Sequence, residues 1–239
     1  MIPEIERLIR DLDSPSDDTA EEAQASLIKL GRDVVEPLAA AVPAMNRLGK
    51  LCAIEVFREL KDTRAGPVLI ALLASEFDTV RDWAAAALGE LGIDDAIQPL
   101  MEAYNATKQR GTPPDWTEPE SIRIALTALG ARKPVVPPLT ASLATRTRYG
   151  FGAWPSARLA DVLEDLATHK QVVAYFQLWT VKDSGDLYWI RGSGYKLDWN
   201  LPWDELVLQA SERSRTAAAA VQPSPDIVAT ISWLNRSDL

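Results

Sequence analysis

Residues 78–104 read DTVRDWAAAALGELGIDDAIQPLMEAY, and the spacing of their apolar side chains decides the fold. Val80, Ala84, Ala87, Leu88 and Leu91 fall at i, i+4, i+7, i+8 and i+11, which is the apolar stripe of one helix. Asp78 and Thr79 precede it as N-cap candidates, and Gly92 supplies a left-handed C-terminal position. A second helix is predicted from near Asp94, presenting Ile97, Leu100, Met101 and Tyr104 on one side. Pro99 falls near its first turn, where a missing N–H is tolerated. The alanines at 84–87 permit close helix approach. Such a pair cannot cover its own apolar face, so neighbouring pairs must stack.

Working outward, three further segments share this register: ASLIKLGRDVVEPLAAAV (25–42), AIEVFRELKDTRAGPVLIALL (53–73) and IRIALTALGARKPVVPPLTASL (122–143). The leucines Leu30, Leu60, Leu91 and Leu129 are spaced by 30, 31 and 38 residues, and Pro37, Pro67, Pro99 and Pro137 by 30, 32 and 38. Two independent markers thus keep one period, the mark of a repeat architecture. The long interval coincides with an insertion, TKQRGTPPDWTEPE (107–120).

The A-x-x-x-L-x-x-L-G core of Ala84–Gly92, its shortened form at Ala125–Gly130, the downstream Pro-Leu, and Asp78 with Arg81 resemble the HEAT-repeat superfamily, especially its PBS-lyase-type HEAT-like repeats. The resemblance covers four repeats over about 17–144 and a degenerate fifth near Pro155–Val181. The second repeat departs from the pattern by placing Lys61-Asp62 where Leu-Gly is expected. The resemblance implies an α-solenoid and mostly protein-binding scaffolds, with a few members acting on chromophores or nucleic acid.

Beyond Thr145 the period fades and aromatic residues accumulate: five of the eight tryptophans lie in the last 61 residues. Residues 155–167 read as a helix and VVAYFQLWTV (172–181) as its partner helix. Residues 187–190 and 195–199 read as a small β-hairpin turning at RGSG, and 203–220 and 225–234 as closing helices. The expected fold class is therefore all-α, a solenoid of HEAT-like helical hairpins with a small C-terminal β-hairpin and capping helices. Residues 1–144 would hold the four repeats, and 145–239 the degenerate repeat and aromatic cap of one continuous solenoid.

Composition narrows the function. The chain of 239 residues has 25 Lys+Arg against 34 Asp+Glu, a net charge of −9, and 47% apolar residues. That apolar share supports a continuous core and argues against global disorder. Residues 1–110 carry 20 acidic and 12 basic side chains, so nearly all the excess lies in the repeats. This sign repels a phosphate backbone, and it reads either as plain solubility or as steering toward a basic partner. The start, MIPEIERLIRDLDSPSDD, lacks an apolar h-region, and GPVLIALLA (66–74) is too short to cross a bilayer. A cytoplasmic, bacterial type of protein without a membrane role is the expectation.

Chemistry has few candidates. Cys52, the single cysteine, sits among Leu51, Ala53, Ile54 and Val56 and reads as a buried structural thiol. His169, the single histidine, falls between helical runs, and metal chemistry of the deoxyhypusine-hydroxylase kind would need several histidines. Arg191–Lys196 lacks the spacing of a phosphate loop. The acidic pairs Asp17-Asp18, Glu21-Glu22, Asp94-Asp95 and Glu164-Asp165 point in different directions on helices, which makes them poor dyads. An enzymatic alternative resembles HEAT-like DNA glycosylases, with Asp82 beside Trp83 or Asp115 beside Trp116, but no Lys/Arg cluster supplies a basic groove. A bilin-lyase-like alternative would line a small-molecule pocket with Trp179, Tyr188 and Trp189.

The leading expectation is a non-catalytic scaffold, without cofactor or metal, that binds a basic protein on an acidic concave face. An immunity protein occluding a cationic toxin or enzyme is one instance. The contact residues would be Glu36, Asp94, Asp95, Gln98 and Glu102 on the second helices. Asp115, Trp116 and Trp154 would anchor the rim from loops, in company with Phe151.

Overall fold

A computed structural model describes residues 2–146 and 152–239 of the chain. The chain divides into two compact units, residues 1–133 and 134–239.

The N-terminal unit is helical: α1 (Ile2–Leu12), α2 (Asp17–Leu30), α3 (Val35–Ala41), α4 (Arg47–Leu60), α5 (Gly66–Leu72), α6 (Asp78–Glu90), α7 (Ile97–Gln109) and α8 (Thr117–Ala128). The longer helices form a row in which α2 packs on α4, α4 on α6 and α6 on α8. Helices α3, α5 and α7 follow their partners through short 3-10 turns at 31–34, 63–65 and 94–96. Val80, Ala84, Ala87 and Leu88 are fully buried in α6, and Leu91 packs against the same core. Small residues set the spacing. A Cβ at Gly89 would stand 2.6 Å from Ala125 Cα, so α6 and α8 touch backbone to backbone.

Local signals explain the joints, with two differences from expectation. Neither Asp78 nor Thr79 caps α6: Phe77 takes the N-cap position, and Asp78 opens the helix with its carboxylate accepting from Thr79 N at 2.7 Å. A carboxylate in the first turn still complements the helix dipole. Met101, expected on the apolar side of α7, is 47% exposed, while Leu100 beside it is buried. The irregular second repeat keeps a positive φ at this joint, with Lys61 at φ 49 where Gly31, Gly92 and Gly130 adopt 79, 66 and 72. Asn46 caps α4 by accepting from Gly49 N at 3.0 Å and is held by Asp13 Oδ1, which accepts from Asn46 N at 2.7 Å.

The C-terminal unit corrects the all-α expectation. It holds α9 (Pro138–Leu143), α10 (Leu159–Thr168) and α11 (Trp203–Ala219) with β1 (Thr145–Arg146), β2 (Gly152–Pro155), β3 (Val172–Val181), β4 (Leu187–Gly192) and β5 (Ile227–Leu234). The strands form one antiparallel sheet in the order β1-β2-β5-β3-β4. Residues 172–181 and 227–234, read as helices, are its central strands, which removes the degenerate fifth repeat. Both are rich in β-branched and aromatic residues. Alternation is blurred in β3 because two cores cover it: Val173, Phe176 and Leu178 join Leu159, Val162, Leu163 and Leu166 of α10, while Val172 and Ala174 join Trp203, Leu206 and Ala210 of α11.

The hairpin is also placed differently. β4 pairs with β3 through a turn at 182–186, where Gly185 has φ 79 and donates to Lys182 O. RGSG is no turn between strands, since Arg191 and Gly192 end β4 and 195–199 form no strand. Tyr195 instead donates its hydroxyl to Val173 O at 3.0 Å. The proline-bracketed 132–137 stretch is not helical, and α9 belongs to the C-terminal unit, where Asp165 Oδ2 accepts from Thr140 N and Oγ1 at 2.7 and 2.8 Å.

Candidate functional site

The carboxylates of the repeats fall into two groups, distinguished by whether an arginine holds them. On the longer helices α4, α6 and α8, Glu55, Glu90 and Glu118 are clamped. Arg58 of α4 grips Glu90 of α6 with Nε and Nη2, both at 2.8 Å, and donates Nη1 to Glu55 at 2.8 Å. One step on, Arg81 of α6 grips Glu118 of α8 at 2.7 and 2.8 Å, and Arg110 adds a third bond to Glu118 at 2.8 Å. Bidentate arginine pairs are directional and rigid, so these acids join neighbouring repeats.

Glu36 belongs with the clamped group. It is exposed on α3, yet its Oε1 accepts from Arg64 Nη1 at 3.0 Å. The same guanidinium bonds both oxygens of buried Asp62 at 3.0 and 2.8 Å and the Arg32 carbonyl at 2.9 Å. Hydrogen bonds from Arg64, side chain first and backbone second, pull the Asp62 carboxyl down to about 2 from the ordinary 3.8. A depressed carboxyl stabilises the fold above its unfolded value and loses that contribution as pH falls through the folded one. Asp62→Asn is therefore expected to lower the melting temperature at pH 7, with the gap to the parent protein closing between about pH 4 and pH 2. Melting curves across pH 2–7 that stay parallel would refute this linkage.

Asp94, Asp95, Gln98 and Glu102 are exposed on α7 and the turn before it. Gln98 Nε2 donates to Glu102 Oε1 at 3.1 Å, one helical turn apart. Met101 lies exposed next to Glu102, so the face combines carboxylates with an apolar centre. Sequence reasoning missed this by placing Met101 in the core; the i+4 and i+8 positions after Ile97 select Met101 and Asn105, a polar direction that would have revealed it.

The rim residues diverge. Trp116 is exposed at the N-cap of α8, and Asp115 beside it is half-buried. Trp154 is not a loop anchor: it lies in β2, is 4% exposed, donates Nε1 to Thr140 O at 2.8 Å and packs edge-on against Trp233 at 5.8 Å. A Trp that gives its N–H to a backbone carbonyl inside a core has no face left for a partner. Phe151 lies outside the described residues.

The other chemical candidates are placed as follows. Cys52 is buried, and burial first, then the charges of Glu21, Asp17 and Glu55, push its thiol up, away from the reactive thiolate. His169 ends α10 with Nδ1 on Asp165 O at 2.8 Å. Burial also raises the Asp82 carboxyl, which accepts from Ser121 Oγ at 2.5 Å, while Trp83 points to the exposed side. Trp179 is half-buried and donates Nε1 to Thr230 Oγ1 at 3.0 Å; Tyr188 and Trp189 are exposed on β4. Among the described residues no cluster of three His, Cys, Asp or Glu could hold a metal ion, and no helix is long and apolar enough to cross a membrane.

A search of curated proteins finds no match to the chain. Residues 35–111, from the start of α3 to just beyond α7, match the family model described as HEAT repeats. That span contains the two complete helix pairs α4–α5 and α6–α7 together with α3, and it is this part of the N-terminal unit that is similar to HEAT repeats.

Proposed function

We propose that the N-terminal unit is a short α-solenoid that binds a basic protein through the outward face of α7, and that it serves as an immunity or inhibitor protein occluding a cationic toxin or enzyme. HEAT repeats generally serve as protein-binding scaffolds. One observation carries the choice of face: Asp94, Asp95 and Glu102 stand exposed around Met101 without an arginine clamp among the described residues, while Glu36, Glu90 and Glu118 are each held by one. Unclamped carboxylates can steer and pair with incoming cations without first breaking an internal bond. Met101 supplies an adaptable apolar contact at their centre. Trp116 and Asp115 extend the surface as a rim, and Glu36 contributes field strength more than a direct contact.

The test is capture from a lysate of the source cells, comparing the parent protein with Glu102→Lys at low and high salt. A small basic protein recovered at near-equal stoichiometry is expected, with affinity falling about tenfold or more in the variant and falling again with salt. Binding that ignores both salt and the reversed charge would reject the acidic face.

A further inference from the structure

We propose that β4 is a self-association edge, through which two copies of the chain pair antiparallel and join their sheets. The two edges of the sheet are unlike. Among the described residues one is β1, Thr145–Arg146, whereas the other is β4, six residues from Leu187 to Gly192. Short edge strands protect a sheet from pairing with another chain; long apolar ones do not. In β4, Tyr188, Trp189 and Ile190 are consecutive and 56%, 61% and 38% exposed. Tyr188 and Trp189 lie in the regular part of the ladder and point to opposite faces, so both faces of this edge are apolar; Ile190 follows as the extra residue of a bulge, since Trp189 pairs with Trp179 and Arg191 with Leu178. The strand has no Lys and no Pro, and its hydrogen-bonded partner is β3 alone. The chain then turns back toward β3, with Ser193 N donating to Phe176 O at 2.9 Å, and leaves the outer side of β4 open among the described residues.

Charge selects a second copy as the occupant. The approach to β4, Lys182–Asp186, carries Lys182, Asp183 and Asp186, a net charge of −1; its exit, Arg191–Lys196, carries Arg191 and Lys196, a net charge of +2. An antiparallel copy lays the acidic approach of each strand beside the basic exit of the other, twice by symmetry, whereas a parallel copy opposes like with like. A two-fold axis at Tyr188, ahead of the bulge, sets Leu187 of each copy opposite Trp189 of the other, an apolar and aromatic pair that favours strand pairing. Pairing closes at two copies, because among the described residues β1 offers no comparable second edge.

The size of the patch sets the strength. Three half-exposed apolar side chains supply on the order of 300 Å² per copy, against about 800 Å² per partner in a stable interface. The dimer is therefore weak, with a dissociation constant on the order of 10–100 µM.

Sedimentation velocity of the whole protein from about 1 to 500 µM at 0.15 M salt tests this. The expected result is a concentration-dependent shift from monomer to dimer, with a dissociation constant raised more than about tenfold by Trp189→Lys, a charge on the pairing edge. Near-UV circular dichroism establishes that the variant is folded. Should Trp189→Lys fail to fold, Tyr188→Thr keeps strand propensity while removing apolar area, and it should weaken the dimer too. A protein that stays monomeric at every concentration overturns the proposal. So does a dimer that persists in a folded β4 variant, or one abolished by Glu102→Lys on α7.

Discussion

Arg81→Met is expected to lower the unfolding free energy by about 3–5 kcal/mol, the cost of leaving a buried carboxylate without its partner. Glu118 is buried at the start of α8, and Arg81 holds both of its oxygens. Arg81 also donates Nη1 to Ser75 O at 2.8 Å and Glu76 O at 3.2 Å, so one guanidinium joins α8 to the loop before α6. Methionine keeps most of the volume and none of these bonds. Arg110 retains a single bond to Glu118 from a more exposed position, where solvent weakens its attraction. The double variant Arg81→Met/Glu118→Met should recover much of the loss, since it removes the stranded charge along with the pair. Urea unfolding of the parent, both singles and the double completes the cycle. A single variant costing under about 1 kcal/mol would place the bridge among ordinary surface pairs.

Gly89→Val is the second large effect, expected at about 3 kcal/mol. Glycine within a helix ordinarily costs about 1 kcal/mol relative to alanine, so its presence in the last turn of α6 calls for a reason. The reason is contact: an added Cβ would meet Ala125 Cα at 2.6 Å and Ala125 Cβ at 2.9 Å. Backbone atoms cannot rotate away, so α6 and α8 must separate and their shared core must open. Ala125→Gly should rescue only in part, because the clash with the Cα survives it. A thermal melt within about 2 °C of the parent would mean that the helix row yields more easily than its packing implies.

These two residues also mark what a sequence can reveal. The helical stripe of α6 was readable because Val80, Ala84, Ala87 and Leu88 face one core and their period is local. The Pro and Leu markers at repeat spacing were readable because each unit restates them. The pairing of Arg81 with Glu118, 37 residues away, was not, since an Asp or Glu on a helix surface looks the same clamped or free. That difference governs the candidate site. Glu36 and Glu102 read alike in sequence, yet one faces Arg64 and the other faces Gln98. The C-terminal unit was misread where burial hides alternation: β3 is covered on both faces for most of its length, and a short apolar run buried that way fits helix or strand equally. Trp154 looked like a loop residue between Gly152 and Pro155, but its role comes from Thr140 and Trp233, at separations that no local pattern encodes.

The place of β5 in the sheet has a consequence for how the molecule is made. Of the five strands it comes last in chain order, yet it lies between β2 and β3 and makes the ladders to both. Helix pairs built from neighbouring segments can assemble as they leave the ribosome, whereas the sheet has no centre until residue 234 has emerged. Until then β3 exposes one open edge, and Phe176 and Leu178 lack the cover of Ala229 and Ile231. The nascent chain thus carries a helical half built from neighbouring segments ahead of an unfinished β half, and through that interval an apolar strand edge stays exposed to other chains.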